Sequence, residues 1–453
     1  MLNTVKSIAE TLKKHREVKI VSHIDADGIA AGSIASVCLK REGIEHNVDF
    51  IKQLDEHVID KLRNENPELI WFTDLGSGMI DRLDGLNTVI TDHHKIQNTQ
   101  KANNHLNPHL FGKNGAVDIS GSGLTYLVAK NMNSKNIDLS ALAVIGAVGD
   151  MQDSEYGKLT GNNREILEDG RISGVLDCST DIRFFGRETR PVFKLLQYAN
   201  DPVIPGLTGK EENCIKFLQD LHINMKDEER WRTWIDMSND EKRKIVSEIV
   251  FTLLSKGFGH KNAKRVIGEV YILTKETSGT ELHDAKEFAT LLNSCGRYDK
   301  TEIGYHVCLG DRGEYLQRAR TLLQGHRRTL VDALQFVNDT GIQKRKYVQY
   351  FHAGDNINEK IVGIVAGMLI PYVDKMPLIA FADAEDGIKV SARTDRSLVE
   401  KGLDLSVVMN NAAKKVGGIG GGHNVAAGAT IPKNTEEEFL EEVERIVKGQ
   451  MKM

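Results

Sequence analysis

Three acidic or imidazole side chains, His23, Asp25 and Asp27, alternate in HIDADGIAAG. Asp74 follows in FTDLGSG, then Asp92, His93 and His94 in TDHHK, and Asp150 closes AVIGAVGD. Like charges gathered this closely repel unless protons, cations or hydrogen-bond donors offset them. Carboxylates mixed with imidazoles suit Mn²⁺ or a similar borderline ion, whereas an all-oxygen set suits Mg²⁺ or Ca²⁺. Two such ions, about 3.5–4 Å apart and bridged by one carboxylate, form a clamp for displacement at phosphorus. One ion generates hydroxide and both neutralise phosphoryl charge. Taken singly, each of these residues more often reads as a helix cap or a surface charge. Their repeated placement at the ends of elements is what favours a shared site.

Those elements are legible from the apolar pattern. Val18–Ser22 is β-branched and apolar, a buried strand, and Gly28–Lys40 reads as a helix packed closely on it through small residues. LIWFTD (69–74) and TVITD (88–92) are two further strands, each ending in a carboxylate. ALAVIGAVGD (141–150) is apolar and small, a buried helix ending in Asp150. Strands alternating with helices predict a parallel sheet, whose carboxyl edge is the natural ligand crevice. Residues far apart in sequence can therefore converge there.

The rest of the chain divides less sharply. VLDCSTDIRFFGRETRP (175–191) carries Arg183, Arg187 and Arg190 with Phe184 and Phe185. It reads with equal weight as a lip that stacks bases and contacts phosphate, or as a hinge of buried Phe and paired Arg. Residues from about 196 to 280 are charged and largely helical in pattern, with Trp231 and Trp234 packing that insert. A helix over 284–300 carries Asn293 and Arg297, and a long helix over 311–337 presents its arginines to solvent. From Lys346 strands return in a second α/β region. There GGIGGGHNVAAG reads as an anion nest, with backbone N–H groups of Gly420, Gly421 and Gly422 beside His423. Ser391 and Arg393 lie in a neighbouring strand. The competing reading is a flexible turn.

The expected architecture is α/β: a parallel-sheet domain over 1–195, a helical insertion and linker helix over 196–340, and a smaller α/β domain over 341–453. The bulk numbers agree with this and exclude little. A chain of 453 residues, 40% hydrophobic and 27% charged, has ample core for two or three domains. No apolar run is long enough to span a bilayer, and Met1–Arg16 reads as an amphipathic helix and not a signal peptide. Five cysteines occur singly, which points to reduced thiols in a cytoplasmic protein. A net charge of −5 means that any nucleic-acid partner needs a local basic groove.

HIDADG, FTDLGSG, TDHHK and AVIGAVGD resemble, in order, the four motifs of the DHH phosphoesterase superfamily. SARTDRS (391–397) and GGIGGGHNVAAGA (417–429) resemble its DHHA1 substrate-binding domain. DAKEFATLLNSCGR and RFFGRETRP resemble the archaeal RecJ-like single-strand nucleases, so the likeness runs over essentially the whole chain, loosely from about 205 to 280. It implies one metal on His23, Asp25 and Asp74, and another on Asp27, Asp74, His93 and Asp150. It further implies that His94 contacts the scissile phosphate while Asp92 orients a histidine. Ser391, Arg393, Gly420, Gly421, Gly422 and His423 would bind substrate, with Asn293, Arg297 and Arg187 as further contacts. The implied activity is Mn²⁺-dependent exonucleolysis of single-stranded DNA, and of RNA, with Mg²⁺ or Co²⁺ as substitute ions. The implied direction is 5′ to 3′, and the implied partner is the GINS complex of the replisome. A phosphodiesterase of short oligonucleotides or cyclic dinucleotides, and a replication scaffold, are the alternatives. His23 stands where bacterial RecJ usually has aspartate, a metal-competent exchange. Met368 stands where many relatives carry arginine.

Overall fold

The computed structural model describes residues 1–96 and 104–451. It separates into two compact units, 1–323 and 324–453. In the first, five parallel strands, β1 (Glu17–His23), β2 (Glu45–Ile51), β3 (Ile70–Thr73), β4 (Thr88–Thr91) and β5 (His105–Leu106), lie in the order β2-β1-β3-β4-β5. Helices α1 (Leu2–Lys13), α2 (Ala26–Glu42), α3 (Glu56–Glu65), α4 (Gly121–Met132) and α5 (Ser140–Gly149) accompany them. The central strands β3 and β4 are buried without alternation, as in Ile70, Trp71 and Phe72, because helices cover both faces of the sheet there, whereas the edge strand β2 is polar and partly exposed.

This strand order has its topological switch between β1 and β3, where the chain leaves the sheet in opposite directions and opens a crevice. Ser22 of β1 pairs with Thr73 of β3, and Thr73 with Thr91 of β4, so three strand ends lie level. His23, Asp74 and Asp92 follow directly from that register. Helix α2 starts two residues earlier than the glycine run suggests. Asp25 is its N-cap, accepting the Gly28 N–H at 2.9 Å, and Gly43 ends it in the left-handed conformation at φ +71°. ALAVIGAVG is helical and buried, in line with its composition.

Residues 176–273 of this unit are bracketed by two antiparallel strands, Leu176–Ile182 and Ile267–Leu273. Between them lie helices such as Glu211–Asp220 and Asn239–Ser255 and a separate apolar core around Phe184, Phe193, Trp234 and Ile249. Trp234 is buried there, while Trp231 is partly exposed against the Phe193 ring. The chain then returns through the Ala285–Arg297 helix, which packs on α2 and α5. The long helix Glu314–Thr340 contains the division between the units.

The second unit is a six-stranded mixed sheet, with helices Val362–Leu369, Leu405–Lys415 and Glu436–Met451. Its glycine run corrects the expectation of a nest or flexible turn. Ile419–Gly422 is an edge strand paired antiparallel with Ala426–Ile431. A Cβ on Gly420 would stand 2.3 Å from the Met409 carbonyl oxygen, so this glycine lets the strand approach the Leu405–Lys415 helix. Gly422, at φ +134°, lies against Ala427. Among the described residues no helix is long and apolar enough to cross a membrane.

Candidate metal centre

Asp27 has no exposed surface, and the amino end of α4 holds it. Its Oδ2 accepts the Gly121 N–H at 2.7 Å, and its Oδ1 accepts the Ser122 N–H at 3.1 Å and the Ser122 hydroxyl. Unpaired N–H groups and the positive helix terminus offset the buried charge. Glycines make the room. A Cβ on Gly146 would stand 2.2 Å from Asp27 Oδ1, and one on Gly121 2.5 Å from Asp74 Oδ1. Gly121 and Ser122 therefore belong to the site although the sequence reading passed over them. Their signal was SGSG ahead of an apolar helix, a helix-start pattern.

Asp74 sits one residue beyond β3 at φ +60°, a left-handed conformation that aspartate tolerates better than most residues. It is 1% exposed, and each of its oxygens faces a histidine. Oδ2 lies 3.6 Å from His23 Nδ1, and Oδ1 lies 3.3 Å from His93 Nε2. His93 Nδ1 bonds the Gly115 carbonyl at 2.7 Å, which fixes the ring and turns Nε2 toward Asp150 at 3.1 Å and Asp27 at 3.8 Å. His23 Nδ1 stands 2.9 Å from Asp25 Oδ2. The donor atoms form compact sets: His23, Asp25 and Asp74; Asp27, His93 and Asp150; and Asp74, His93 and His94.

Asp27 is satisfied by the protein, but four other atoms of the centre are not. His23 Nδ1, His93 Nε2 and both Asp74 oxygens are buried without hydrogen-bond geometry to any partner. Each such atom costs about 1–3 kcal/mol, against a whole-protein stability of about 5–15 kcal/mol. Four together are too costly for a structural filler, and divalent cations at the His23 and His93 sets would satisfy them. Protonation shows the same strain. Burial, and then the charges of Asp27 and Asp25, push the Asp74 carboxyl up to about 7. Burial and Asp27 push Asp150 up to about 6. Burial opposes charge on His23 and His93, yet their carboxylates overcome it, taking His23 to about 11 and His93 well above the usual imidazole range.

His94 is arranged differently. Its side chain is 51% exposed, and Nδ1 meets Asp92 Oδ1 at 2.8 Å. Burial works against its charge, but Asp92 raises it to about 9. Asp92 in turn accepts the Ser77 N–H at 2.9 Å. The Ser77 hydroxyl bonds His105 Nε2 at 2.7 Å and accepts from Asn107 Nδ2, which also donates to the His94 carbonyl at 3.0 Å. Ser77, His105 and Asn107 thus lock the TDHHK loop from behind. Neither spacing nor residue type marked His105 or Asn107.

The remaining expected contacts separate. Arg187 is corrected: it is 5% exposed and spends its guanidinium on Asp284 at 2.8 Å and Asp181 at 2.9 Å. Phe184 is buried in the insert core and Arg183 pairs with Asp153. A buried cation requires buried anions, and Arg187 meets two, while its Nε has no hydrogen-bond partner among the described residues. Asn293 is partly buried. Its Oδ1 accepts the Ala26 N–H at 3.0 Å, so it faces the HIDADG loop. Arg297, one turn on, has no hydrogen bond or ion pair among the described residues. Burial pushes its guanidinium below the usual range, with Asp25 opposing. In the second unit, Ser391 and Arg393 share one face of the Gly387–Arg393 strand. Gly363 makes space for both, since a Cβ there would lie 2.6 Å from an Arg393 nitrogen and 2.9 Å from Ser391 Oγ. Arg393 donates to the Ala392 and Ala427 carbonyls and pairs with no carboxylate among the described residues. Gly420, Gly421 and Gly422 lie on the edge strand, and exposed His423 follows, its N–H donated to the Ala426 carbonyl.

Comparison with known proteins bears on this geometry. Residues 17–149 match the DHH family, N-terminal domain, residues 184–267 the DHH-CID domain, and residues 344–449 the DHHA1 domain. An uncharacterised protein of Methanocaldococcus jannaschii is 31% identical over 457 aligned residues, covering 99% of this chain and 97% of the relative. Among solved structures, RecJ of Thermus thermophilus in complex with Mn²⁺ superposes with a TM-score of 0.61 at 15% identity, covering 98% of this chain. This chain spans 55% of that RecJ. CDC45 of Entamoeba histolytica superposes with a TM-score of 0.66 at 12% identity over 97% of both chains.

Proposed function

The chain belongs to the DHH/DHHA1 phosphoesterase superfamily, with RecJ-like architecture, and on that premise we propose that it is a Mn²⁺-dependent exonuclease of single-stranded DNA, acting also on RNA. The observation that carries this reading is Asp74, a buried carboxylate whose two unsatisfied oxygens face two donor sets. His23, Asp25 and Asp74 would hold one ion, and Asp27, Asp74, His93 and Asp150 the other. Two bound ions would supply charge neutralisation at the phosphoryl oxygens and an acidified water. Mg²⁺ or Co²⁺ would substitute, Mg²⁺ less well because the set includes imidazoles.

The protein's own groups do the rest. His94, oriented by Asp92 and open to solvent, offers a positively charged donor to the scissile phosphate. Arg297 has no hydrogen bond or ion pair among the described residues and would supply a second cation close to Asp25. Ser391, Arg393, His423 and the Gly420–Gly422 edge strand would grip backbone phosphate away from the reacting bond. Nucleoside monophosphates leave from the 5′ end in this reading, and the GINS complex is the proposed replisome partner. Residues 1–195 would carry the chemistry, 196–340 the insertion, and 341–453 the substrate grip. A complete set of metal-type residues weighs against a pure scaffold.

The deciding assay uses DNA and RNA oligomers of graded length, labelled at either end, with Mn²⁺. The reading requires stepwise release of mononucleotides from long single strands, the 5′ label first. Hydrolysis confined to the shortest oligomers would replace it with an oligonucleotide phosphodiesterase. Inertness with Mn²⁺, Mg²⁺ and Co²⁺ alike would leave the scaffold reading.

A further inference from the structure

Ala26 stands between Asp25 and Asp27 at the first position of α2. The first N–H groups of a helix have no partner within it. Asp25 takes the Gly28 N–H, and the Ala26 N–H goes to Asn293 Oδ1 at 3.0 Å, 267 residues away in sequence. The Asn293 helix meets the loop at one more point and the end of α5 at another. A Cβ on Gly296 would stand 1.9 Å from the Ile24 carbonyl oxygen, so helix and loop touch backbone to backbone. One turn before Asn293, Ala289 lies 3.5 Å from where a Cβ on Gly149 would stand, just ahead of Asp150. Ala289, Asn293 and Gly296 follow a four-then-three spacing and so share one helix face.

The far end of this helix is also fixed. Asp284, its N-cap, accepts the Lys286 and Glu287 N–H groups and pairs with Arg187. Glu287 accepts the Glu188 N–H and the Thr189 hydroxyl. A helix braced this way can set the position of whatever its opposite face touches.

We propose that Asn293 is a positioning residue for the metal loop and not a substrate contact. It holds Ala26 so that the flanking carboxylates enter different donor sets, Asp25 with His23 and Asp74, Asp27 with His93 and Asp150. The inference rests on the two-metal reading above. Groups that orient metal ligands typically change metal affinity about 10–100-fold when removed.

The test compares Asn293→Leu, which keeps the volume and loses the acceptor, with Asn293→Asp, which keeps an acceptor oxygen. Mn²⁺ binding is measured by titration calorimetry and by electron paramagnetic resonance of free Mn²⁺. Circular dichroism monitors the fold, and KM and kcat are determined on a single-stranded oligomer. Asn293→Leu should bind Mn²⁺ about 10–100-fold more weakly, with kcat lowered and KM near the parent's at saturating metal. Asn293→Asp should restore parent-level Mn²⁺ affinity. If Asn293→Leu does not fold, Asn293→Ala takes its place under the same expectation. Parent Mn²⁺ affinity in the acceptor-less variant, with a raised KM, overturns the proposal and makes Asn293 a substrate contact. A parent protein that takes up no pair of ions would instead overturn the two-metal reading itself.

Discussion

Replacing Asp74 by asparagine should strengthen the metal-free protein while abolishing its chemistry. The shape of the side chain is kept, and asparagine accepts the φ of +60° at this position as readily as aspartate. What changes is charge. The Asp74 carboxyl is pushed from an ordinary 3.8 to about 7 by burial and by Asp27 and Asp25. A folded-state value above the unfolded one means that the contribution to stability is present at low pH and is lost as pH rises through the folded value. At pH 8 the parent therefore carries the cost of an ionised, buried carboxylate that His23 and His93 offset only in part. The gap corresponds to roughly 4 kcal/mol at most, at 1.36 kcal/mol per unit, and sharing of protons with Asp150 and His93 brings the expected gain to about 2–4 kcal/mol. For a unit of this size that is a rise of about 4–8 °C in melting temperature, shrinking toward pH 4. Differential scanning calorimetry in chelator at pH 5 and pH 8 reads it directly. In the same variant, Mn²⁺ should no longer raise the melting temperature as it does in the parent. Mn²⁺-dependent hydrolysis should fall by at least about 10²–10³-fold, as when one oriented charge-stabilising group is lost. Near-parent turnover, or a metal-free variant less stable than the parent at pH 8, would refute this account of Asp74.

Three further outcomes follow from the same geometry. His94→Ala should lower turnover about 10²–10³-fold while metal analysis still finds two Mn²⁺ per chain; loss of one ion would make His94 a ligand, as its set with Asp74 and His93 allows. The double variant Arg393→Ala with His423→Ala should spare a small activated phosphodiester and cripple digestion of single strands. Its binding should also lose roughly 0.7 of salt slope per lost phosphate contact, and an undiminished rate on long strands would reduce this face to a structural edge. Mn²⁺ affinity should rise between pH 6 and pH 8 with net proton release, because Asp150 at about 6, Asp74 at about 7 and the raised His93 must shed protons to ligate. Calorimetry in buffers of different ionisation enthalpy that found no proton release would contradict this.

Residue type and local period were enough to read three of the five strands of the first sheet, β1, β3 and β4, the buried ALAVIGAVG helix and the acidic and imidazole residues at their ends. These are short-range properties. A β-branched apolar run bounded by polar residues has few other ways to hide its side chains, and a parallel sheet must bring its carboxyl ends to one edge. The glycine run was misread for a related reason. Glycine permits both a nest and a tightly packed strand, and the choice lay with Met409 and Ala427, which the run meets only in the fold.

Partnership is what the sequence could not contain. Arg187 and Arg297 are the same residue type, each in a motif that suggested phosphate, yet one is consumed by Asp181 and Asp284 and the other has no partner among the described residues. Asn293 offers one carbonyl oxygen, and only the packing of its helix on the Ile24–Ala26 backbone assigns that oxygen to the metal loop. Types and spacing determined which chemistry this chain can perform, because donors, charges and strand ends are local properties. The tertiary structure alone decided which donors are already spent, because a buried charge or hydrogen-bonding group must be paired, and its partner can lie anywhere along the chain.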